Sequence, residues 1–334
     1  MKIAALIPTY NRRANVLRAI DSVLAQTLPV AEIIVVDDGS TDGTGDAIDA
    51  RYGSAVTLIR QGNGGVSAAR TRAMEEAQSE WVAFLDSDDV WFPTKLERQR
   101  DALRALGDDF GACFTNCCYS GNPAMFYSVF DQGGLKLASG CEVAALENPL
   151  RYIVGAHGRY APSLMVQSLL VRRSLLREMG GFDSSLGFSE DRDLTFRLCF
   201  NTKLCVVSTP LVSIDRTPGV SRLTNGLACK NDQLYAWLEL VLKKMLGQSD
   251  RLDPDSVKTI RDELMGLYYG GVAERLRQRE FVAAYRNLRK LRHMGQSYPK
   301  VAFNLFARAG RKLTNTIDLP SNLQSEAGGV FRDA

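Results

Sequence analysis

The chain has 334 residues, of which 45% are hydrophobic, and its formal net charge is +3. This length and apolar content suffice for one large domain with a smaller one, and the near-neutral charge balance does not indicate a nucleic-acid partner. The seven cysteines are odd in number and lack C-x-x-C spacing, which favours reduced thiols over disulfides or a zinc site. The sequence has no run of 18 apolar residues and no signal-peptide pattern, so we expect a cytoplasmic protein without a transmembrane helix.

The first hundred residues alternate between strand-like and helix-like patterns. Short apolar runs predict strands at 3–7, 32–37, 56–60 and 81–86. Helical spacing of apolar residues predicts helices at 15–26, 44–51, 66–77 and 93–106. Strands that alternate with helices form βαβ units with parallel strands and right-handed crossovers. The sequence therefore predicts an α/β fold built on a mostly parallel sheet flanked by helices.

The regular alternation loosens beyond residue 110. Strand-like runs occur at 111–119, 164–172 and 203–208, with one clear helix at 191–200. From about residue 223 the strand patterns disappear, and helices are predicted at 232–246, 255–269, 271–278, 281–294 and 301–313. We therefore expect a first domain over 1–222, an all-helical C-terminal module over 223–317 and a polar, disordered tail over 318–334.

The run WVAFLDSDD at 81–89 ends an apolar strand in three carboxylates within four positions. Carboxylates at the C-terminal end of a strand lie where open α/β sheets bind ligands. Three acids this close repel one another unless a cation compensates, and oxygen ligands suit Mg²⁺ or Mn²⁺. The alternative is an ordinary acidic turn, because Asp is common in turns and at helix N-caps.

Polar residues also follow the first two strands, at 8–12 and 37–40. Because the carboxyl ends of parallel strands share one edge, we expect these segments and residues 86–89 to converge on one crevice. Together they offer a ring for stacking, carboxylates for a base or ribose, and acids for a metal-bound phosphate. The glycine-rich segment 62–67 only half matches a dinucleotide fingerprint. Arg70, in the helix that follows this segment, either faces a pyrophosphate or solvates that helix.

Glu190 and Asp191 stand at the start of the predicted helix 191–200. Acidic residues are favoured in the first turn of a helix, where they cap it and oppose the macrodipole. The functional alternative is a general base at the mouth of the crevice. The sequence alone leaves both interpretations open.

Five motifs in this order resemble family 2 glycosyltransferases of the GT-A fold over residues 1–222: IPTYNR at 7–12, VVDDGSTDGT at 35–44, NGGVSAAR at 63–70, FLDSDD at 84–89, and GFD at 181–183 with ED at 190–191. The resemblance implies an inverting transfer of a sugar from a nucleotide diphosphate-sugar, with a UDP-linked donor expected, to an acceptor hydroxyl. It also implies Mn²⁺ or Mg²⁺ as the cofactor and a role in cell-surface polysaccharide or glycoconjugate synthesis. The acceptor is expected to be a saccharide or a lipid-linked molecule.

The resemblance also carries residue roles. Asp88 is implied as the main metal ligand, Asp86 as a ligand of ribose or of metal-bound water, and Asp191 as the catalytic base beside Glu190, while Asp89 is expected only to start the next helix. The residues assigned to the nucleotide are Pro8, Tyr10, Arg12, Asp37, Asp38, Asn63, Arg70 and Asp86. Many relatives carry a metal-binding histidine where this chain has residues 214–219, so Asp215 or water would replace it.

The predicted helical module is rich in arginine and lysine between residues 271 and 312. A basic face interleaved with apolar residues attracts anionic lipid, which would place the protein at the inner face of the membrane. A solvated face that packs on the first domain explains the same pattern. A non-catalytic GT-A-like scaffold that recruits partners through these basic helices is the alternative function. None of these interpretations involves nucleic acid.

Overall fold

The computed structural model describes residues 1–120, 128–133, 135, 137, 140–154, 164–217 and 232–297. The predicted helix 301–313 and the predicted tail 318–334 lie outside these residues. The predicted domain boundary between residues 222 and 223 also lies outside them.

The first part of the chain forms the predicted strand–helix repeats. The strands are β1 Ile3–Thr9, β2 Glu32–Asp37, β3 Thr57–Arg60 and β4 Trp81–Phe84. The helices between them are α1 Arg13–Leu24, α2 Thr44–Tyr52, the 3₁₀ turn Gly53–Ala55 and α3 Val66–Glu76. β1 pairs in parallel with both β2 and β4, and β2 pairs in parallel with β3. Their carboxyl ends therefore lie at one edge of the sheet.

The second part completes a mixed sheet. Its strands are β5 Val90–Trp91, β6 Phe110–Ser120, β7 Val143–Ala145, β8 Leu170–Arg172 and β9 Lys203–Asp215. Its helices are α4 Lys95–Leu106, α5 Val129–Gly133, α6 Arg151–Val154, the 3₁₀ turn Val166–Ser168, α7 Arg173–Glu178 and α8 Glu190–Asn201. Within the described residues the sheet has nine strands, in the order β3-β2-β1-β4-β8-β6-β9-β5 with β7 beside β9. β8 is antiparallel to β4 and β6, whereas β9 runs parallel to β6.

β1 is buried on both faces, as a central strand of an α/β sheet must be. All seven of its residues are buried. Ile3, Ala5 and Ile7 share a core cluster with Val16 and Ile20 of α1. The intervening residues point to the other face, because side chains alternate along a strand. α3 contacts β1 and β2, so both the sheet edge and the loops on it are held in a rigid core.

Two compact units divide the described residues. The first comprises the residues up to Glu263, including α9 Asp232–Leu246 and the 3₁₀ turn Ser249–Arg251. The second comprises those from Leu264 onward, including α11 Phe281–His293. α10 spans Pro254–Arg277. In the part of the chain that the structure describes, every helix is too short or too polar to span a bilayer.

Two sequence-based predictions of secondary structure are wrong. The run 164–172 is mostly not a strand, because Val166–Ser168 is a 3₁₀ turn whose carbonyls accept side-chain donors. Helices 255–269 and 271–278 are one continuous helix, so Gly270 and Gly271 lie inside it. A glycine costs a helix interior only about 1 kcal/mol relative to alanine, and the burial of Tyr269 and Val272 offsets this cost.

Candidate active site

A cavity of about 470 Å³ lies at the carboxyl ends of β1, β2 and β4. The start of α8 and the end of β9 complete its wall. Of the eleven residues predicted for the site, ten line this cavity: Pro8, Tyr10, Arg12, Asp38, Asn63, Arg70, Asp86, Asp88, Glu190 and Asp191. The topology therefore brings together predicted residues that lie more than 180 positions apart in the sequence, such as Pro8 and Asp191.

The loops that follow β1 and β2 are joined by hydrogen bonds. The Asn11 N–H donates to Ser40 Oγ at 2.8 Å, and the Thr41 N–H donates to Asn11 Oδ1 at 2.8 Å. Asn11 has a φ of 50°, a left-handed conformation that Asn adopts more readily than most residues. The adjacent Tyr10 ring is 47% exposed while it lines the cavity. It is therefore available to stack on a planar ligand.

Asp38 is buried and holds the glycine-rich segment. Its Oδ1 accepts hydrogen bonds from Gly64 N and Gln61 Nε2, and its Oδ2 accepts one from Gly65 N, each at 2.8 Å. Gly39 has a φ of +82°, and a Cβ there would lie 2.9 Å from Asn63 N. The second loop and the glycine-rich segment thus approach too closely for any other residue.

Asp37, the eleventh predicted residue, does not line the cavity. Its side chain is buried, and its Oδ1 accepts a hydrogen bond from Ser40 N at 3.0 Å. Such an Asx turn shapes the loop from within. The structure thus places Asp37 beneath the loop that carries Asp38, where it supports the site without facing it.

Arg70 is a buried cation between two of the predicted carboxylates. Its Nη1 lies 2.5 Å from Glu190 Oε1, and its Nη2 lies 2.5 Å from Asp86 Oδ1. Burial opposes the charge, but Asp86, Glu190 and Asp191 outweigh it and raise the pKa of Arg70. The interpretation of Arg70 as a solvating residue of α3 is therefore wrong. It joins the acidic turn after β4 to the start of α8.

Glu190 and Asp191 occupy the first turn of α8, whose N-cap residue is Ser189. Neither acid is therefore the cap. Burial raises the pKa of Glu190 to about 7, against the opposing effect of Arg70. Burial also raises the pKa of Asp191. Its Oδ1 accepts a hydrogen bond from Arg192 N at 2.8 Å, which orients the carboxylate and leaves Oδ2 to act on a ligand.

The acidic turn connects β4 to the end of β9. Asp89 is buried, and its Oδ1 accepts a hydrogen bond from Asp215 N at 3.1 Å. Burial, together with Asp86 and Asp88, raises the pKa of Asp89 well above its usual range. The expectation that Asp89 starts a helix is wrong, because it precedes β5. Instead, its side chain fixes the acidic turn after β4 to the end of β9.

The cavity wall offers oxygen ligands for a hard divalent cation. Asp86 and Asp88 both line it, and its described lining residues include neither histidine nor cysteine. Across the residues that the structure describes, no group of three metal-binding side chains is close enough to hold a metal alone. Two carboxylates still fit Mg²⁺ or Mn²⁺, because Mg²⁺ binds through one or two carboxylates together with water and phosphate oxygens. Arg12 Nη2 lies 3.8 Å from Asp88 Oδ2, which adds a positive charge at this wall.

Helices α9 and α10 brace α8 by ion pairs. Arg192 donates to both oxygens of Glu263 in α10, at 2.8 and 2.6 Å. Lys244 of α9 lies 2.8 Å from Asp183 and 2.6 Å from Asp193. These partners fix the helix whose first turn carries Glu190 and Asp191.

Several lining residues were not predicted. Gln167, Phe188 and Arg216 line the cavity, but each belongs to a turn or strand end without a periodic pattern. Arg216 follows β9 directly, and its guanidinium lies 5.3 Å from the centroid of the Tyr119 ring. Only a correct prediction of the end of β9, seven residues beyond the predicted 203–208, would have indicated Arg216.

Comparisons with known proteins agree with this arrangement. Residues 4–130 match the family model described as Glycosyl transferase family 2. An uncharacterised glycosyltransferase of Rickettsia typhi is 30% identical over 197 residues, which cover 58% of this chain and 58% of that relative. TuaG of Bacillus subtilis, a glycosyltransferase named for teichuronic acid biosynthesis, is 42% identical over 107 residues, covering 30% of this chain and 41% of that protein. The chain thus matches little more than half the length of the first of these relatives.

The fold also resembles that of a protein of known structure. A crystal structure of TarS from S. aureus in complex with UDP-GlcNAc superposes with a TM-score of 0.57 at 18% identity, covering 89% of this chain and 93% of that one. At this identity the likeness concerns the fold alone, and it confirms the predicted α/β, GT-A-type architecture. Residues 4–130 are thus similar to glycosyl transferase family 2, as the motifs in this part of the chain predict.

Proposed function

We propose that the protein transfers a sugar from a nucleotide diphosphate-sugar to an acceptor hydroxyl, with inversion and with the help of a divalent cation. One observation carries the proposal: a single cavity joins the acidic turn after β4 to the first turn of α8. Inversion is a single displacement. It needs a base for the acceptor proton on one side and charge neutralisation for the departing diphosphate on the other. The cavity offers both sets of groups.

The nucleotide lies along the loops after β1 and β2 in this proposal. The exposed Tyr10 ring stacks on the base, with Pro8 beside it. Asp38 already accepts three hydrogen bonds within the protein. A carboxylate has about four acceptor sites, so Asp38 accepts one more hydrogen bond from the base or the ribose. Asn63 lines the same wall. The UDP-GlcNAc bound to TarS makes a UDP-linked sugar the first donor to test.

The cation belongs at Asp88, with Asp86 as second ligand directly or through water. When bound, the cation offsets the charge on the departing diphosphate. Arg12 lines this wall and stabilises the same charge. Arg70 holds Asp86 in place through its ion pair with Asp86 Oδ1. Mn²⁺ and Mg²⁺ are the candidates, since all the ligands are oxygen atoms.

Asp191 is the base in this proposal. Its Oδ1 is occupied by Arg192 N, so Oδ2 takes the proton of the acceptor hydroxyl as that oxygen forms a bond to the anomeric carbon. The bond from the anomeric carbon to the diphosphate oxygen breaks in the same step. Glu190, held by Arg70, stands beside the base in the first turn of α8.

The acceptor is a saccharide or lipid-linked hydroxyl, and the product is a cell-surface polysaccharide or glycoconjugate. The name of TuaG, which refers to teichuronic acid biosynthesis, supports this class of product. The cytoplasmic location expected from the sequence remains part of the proposal.

Replacing Asp191 by Asn tests the assignment of the base. The amide keeps the shape of the side chain but cannot accept the proton, so we expect turnover of a UDP-sugar to fall by more than about 100-fold. Binding of UDP with Mn²⁺, measured by isothermal titration calorimetry, should stay within about twofold of wild type because Asp191 does not contact the nucleotide. Turnover that equals wild type would exclude Asp191 as the base.

A further inference from the structure

The three most exposed large apolar side chains in the described part of the chain lie together at the start of α11. Val282 is 71% exposed, Phe281 67% and Tyr285 54%. Single exposed apolar residues are ordinary on protein surfaces, whereas a contiguous group of them marks a contact surface. The proposed transfer reaction does not use these residues.

Three arginines extend the same side of α11. At about 100° per residue, positions 281, 282, 285, 286, 289 and 292 fall within roughly 140° of the helix circumference. All six are exposed. The buried residues Ala284 and Leu291 occupy the opposite side, at 1% and 0% exposure. We call the exposed side, formed by Phe281, Val282, Tyr285, Arg286, Arg289 and Arg292, the α11 face.

All the charged side chains of α11 are basic. α11 has four basic residues and no acidic one: Arg286, Arg289, Lys290 and Arg292. The acid closest in sequence, Glu280, is 2.5 Å from Arg275 and is thus already engaged. Among the described residues, no carboxylate forms an ion pair with Arg286 or Arg289. Their charge is therefore available to an anionic partner.

We propose that the α11 face binds the surface of an anionic lipid bilayer. Phe281, Val282 and Tyr285 enter the boundary between headgroups and acyl chains, where amphipathic helices bury their apolar residues. Arg286 and Arg289 contact lipid phosphates, because a guanidinium matches phosphate geometry. This inference stands independently of the proposed transfer reaction.

The chemistry of the face favours a bilayer over a second copy of the chain. A two-fold contact places the same patch on both partners, and because α11 carries no acidic residue, neither copy would offer a carboxylate to the other's arginines. A bilayer supplies an apolar layer and anionic phosphates at the same time, which matches both parts of the α11 face.

Vesicle sedimentation of the full-length protein tests the proposal. The probes are vesicles of phosphatidylcholine containing about one third phosphatidylglycerol, and vesicles of phosphatidylcholine alone. We expect wild type to sediment at least about tenfold more strongly with the anionic vesicles, and less as salt rises. The variant Arg286→Ala/Arg289→Ala should bind them about 25-fold more weakly, because each arginine contributes about fivefold.

The apolar part of the face needs its own variant and controls. Phe281→Ser/Val282→Ser should lose binding by at least about tenfold with an unchanged far-ultraviolet circular dichroism spectrum, since both side chains are exposed. Leu24→Ser and Arg72→Ala change side chains that are 52% and 51% exposed on other helices, and both should bind like wild type. Equal binding by wild type and the α11 variants overturns the proposal. A concentration-dependent dimer that the α11 variants abolish, without vesicle binding by wild type, also overturns it.

Discussion

At the scale of single residues, the site is organised around Arg70. One guanidinium faces three carboxylates, of Asp86, Glu190 and Asp191, and its burial makes each interaction stronger than it would be in water. The cluster carries more negative than positive charge. It therefore favours both proton uptake and the arrival of a cation, which are the two events that the proposed reaction needs.

Replacing Arg70 by Gln should strongly destabilise the fold. The change leaves Glu190 and Asp86 without their shared cation, and breaking a buried ion pair by removing one partner costs about 3–5 kcal/mol. Arg72, two residues further along α3, is the matched control, because its ion pair with Glu76 is exposed and spans 3.6 Å. Arg72→Gln should change the free energy of unfolding by less than about 0.5 kcal/mol. Urea unfolding measures both, and equal effects would mean that Arg70 is not the centre of the cluster.

The raised pKa of Glu190 predicts a pH dependence of stability. The pKa is about 7 in the folded protein against an ordinary value of 4.5, chiefly because of burial. The folded state then holds the proton more tightly than the unfolded chain, so stability is lost as pH rises from about 4.5 to about 7. As pH rises from about 4.5 to about 7, the free energy of unfolding in urea should fall by more than about 1 kcal/mol more for wild type than for Glu190→Gln. Parallel pH profiles of the two proteins would contradict the raised pKa.

At the scale of elements, α8 depends on helices that lie outside the matched family region. Lys244 of α9 lies between Asp183 and Asp193. Burial opposes the ionised form of Asp183, but the Lys244 ammonium and the hydrogen bonds from Ser185 hold its pKa at about 2. Arg192 and Glu263 form the second brace. Because small displacements of catalytic groups cost large factors in rate, the position of α8 controls the reaction.

Replacing Lys244 by Met should therefore lower kcat by about tenfold, while KM for the donor stays within about twofold. Lys244→Arg keeps the charge and should restore most of kcat. Lys243 is the matched control, since it is 56% exposed and pairs with Glu239 on its own helix. Steady-state kinetics of the three variants tests the brace. A purely structural role would instead lower the amount of active enzyme and leave kcat per active site unchanged.

The elements also explain how far the sequence predicts the fold. The βα repeats up to α4 follow from periodicity, because β1, β2 and β4 are buried on both faces, whereas the helices are buried on one. The turn at 166–168 has apolar neighbours and therefore resembles a strand in sequence. In the structure its carbonyls accept hydrogen bonds from Trp91 Nε1 and Gln99 Nε2, which belong to distant elements. Likewise, α10 continues through Gly270 because tertiary packing overrides helix propensity. Contacts between distant segments decide both cases, and one sequence does not reveal them.

At the scale of the whole molecule, the candidate site exists only because the sheet order places β1 and β4 side by side and brings β9 against the acidic turn. The motifs at the strand ends were predictable, since each is a local pattern that follows an apolar run. The supporting contacts of Asp89 and Arg70 were not, because they join segments about 120 positions apart. The sequence thus predicts which residues face the cavity better than it predicts what holds them there.

The same architecture predicts how ligands stabilise the folded protein. The nucleotide and the cation share one cavity, and Asp88 is the proposed link between them, so UDP with Mn²⁺ should raise the melting temperature more than either alone. A ligand at 100 times its Kd adds about 2.7 kcal/mol, which corresponds to roughly 5–10 °C for a unit of this size.

Asp88→Asn should abolish the part of this shift that depends on Mn²⁺ and leave a smaller effect of UDP alone. Asp46, which is 81% exposed and pairs with Arg60, provides the matched control, and Asp46→Asn should respond like wild type. Differential scanning fluorimetry with Mn²⁺, with Mg²⁺ and with a chelator makes the measurement. A Mn²⁺-dependent shift of full size in Asp88→Asn would remove Asp88 from the proposed metal site, because asparagine lacks the negative charge that is proposed to bind the cation.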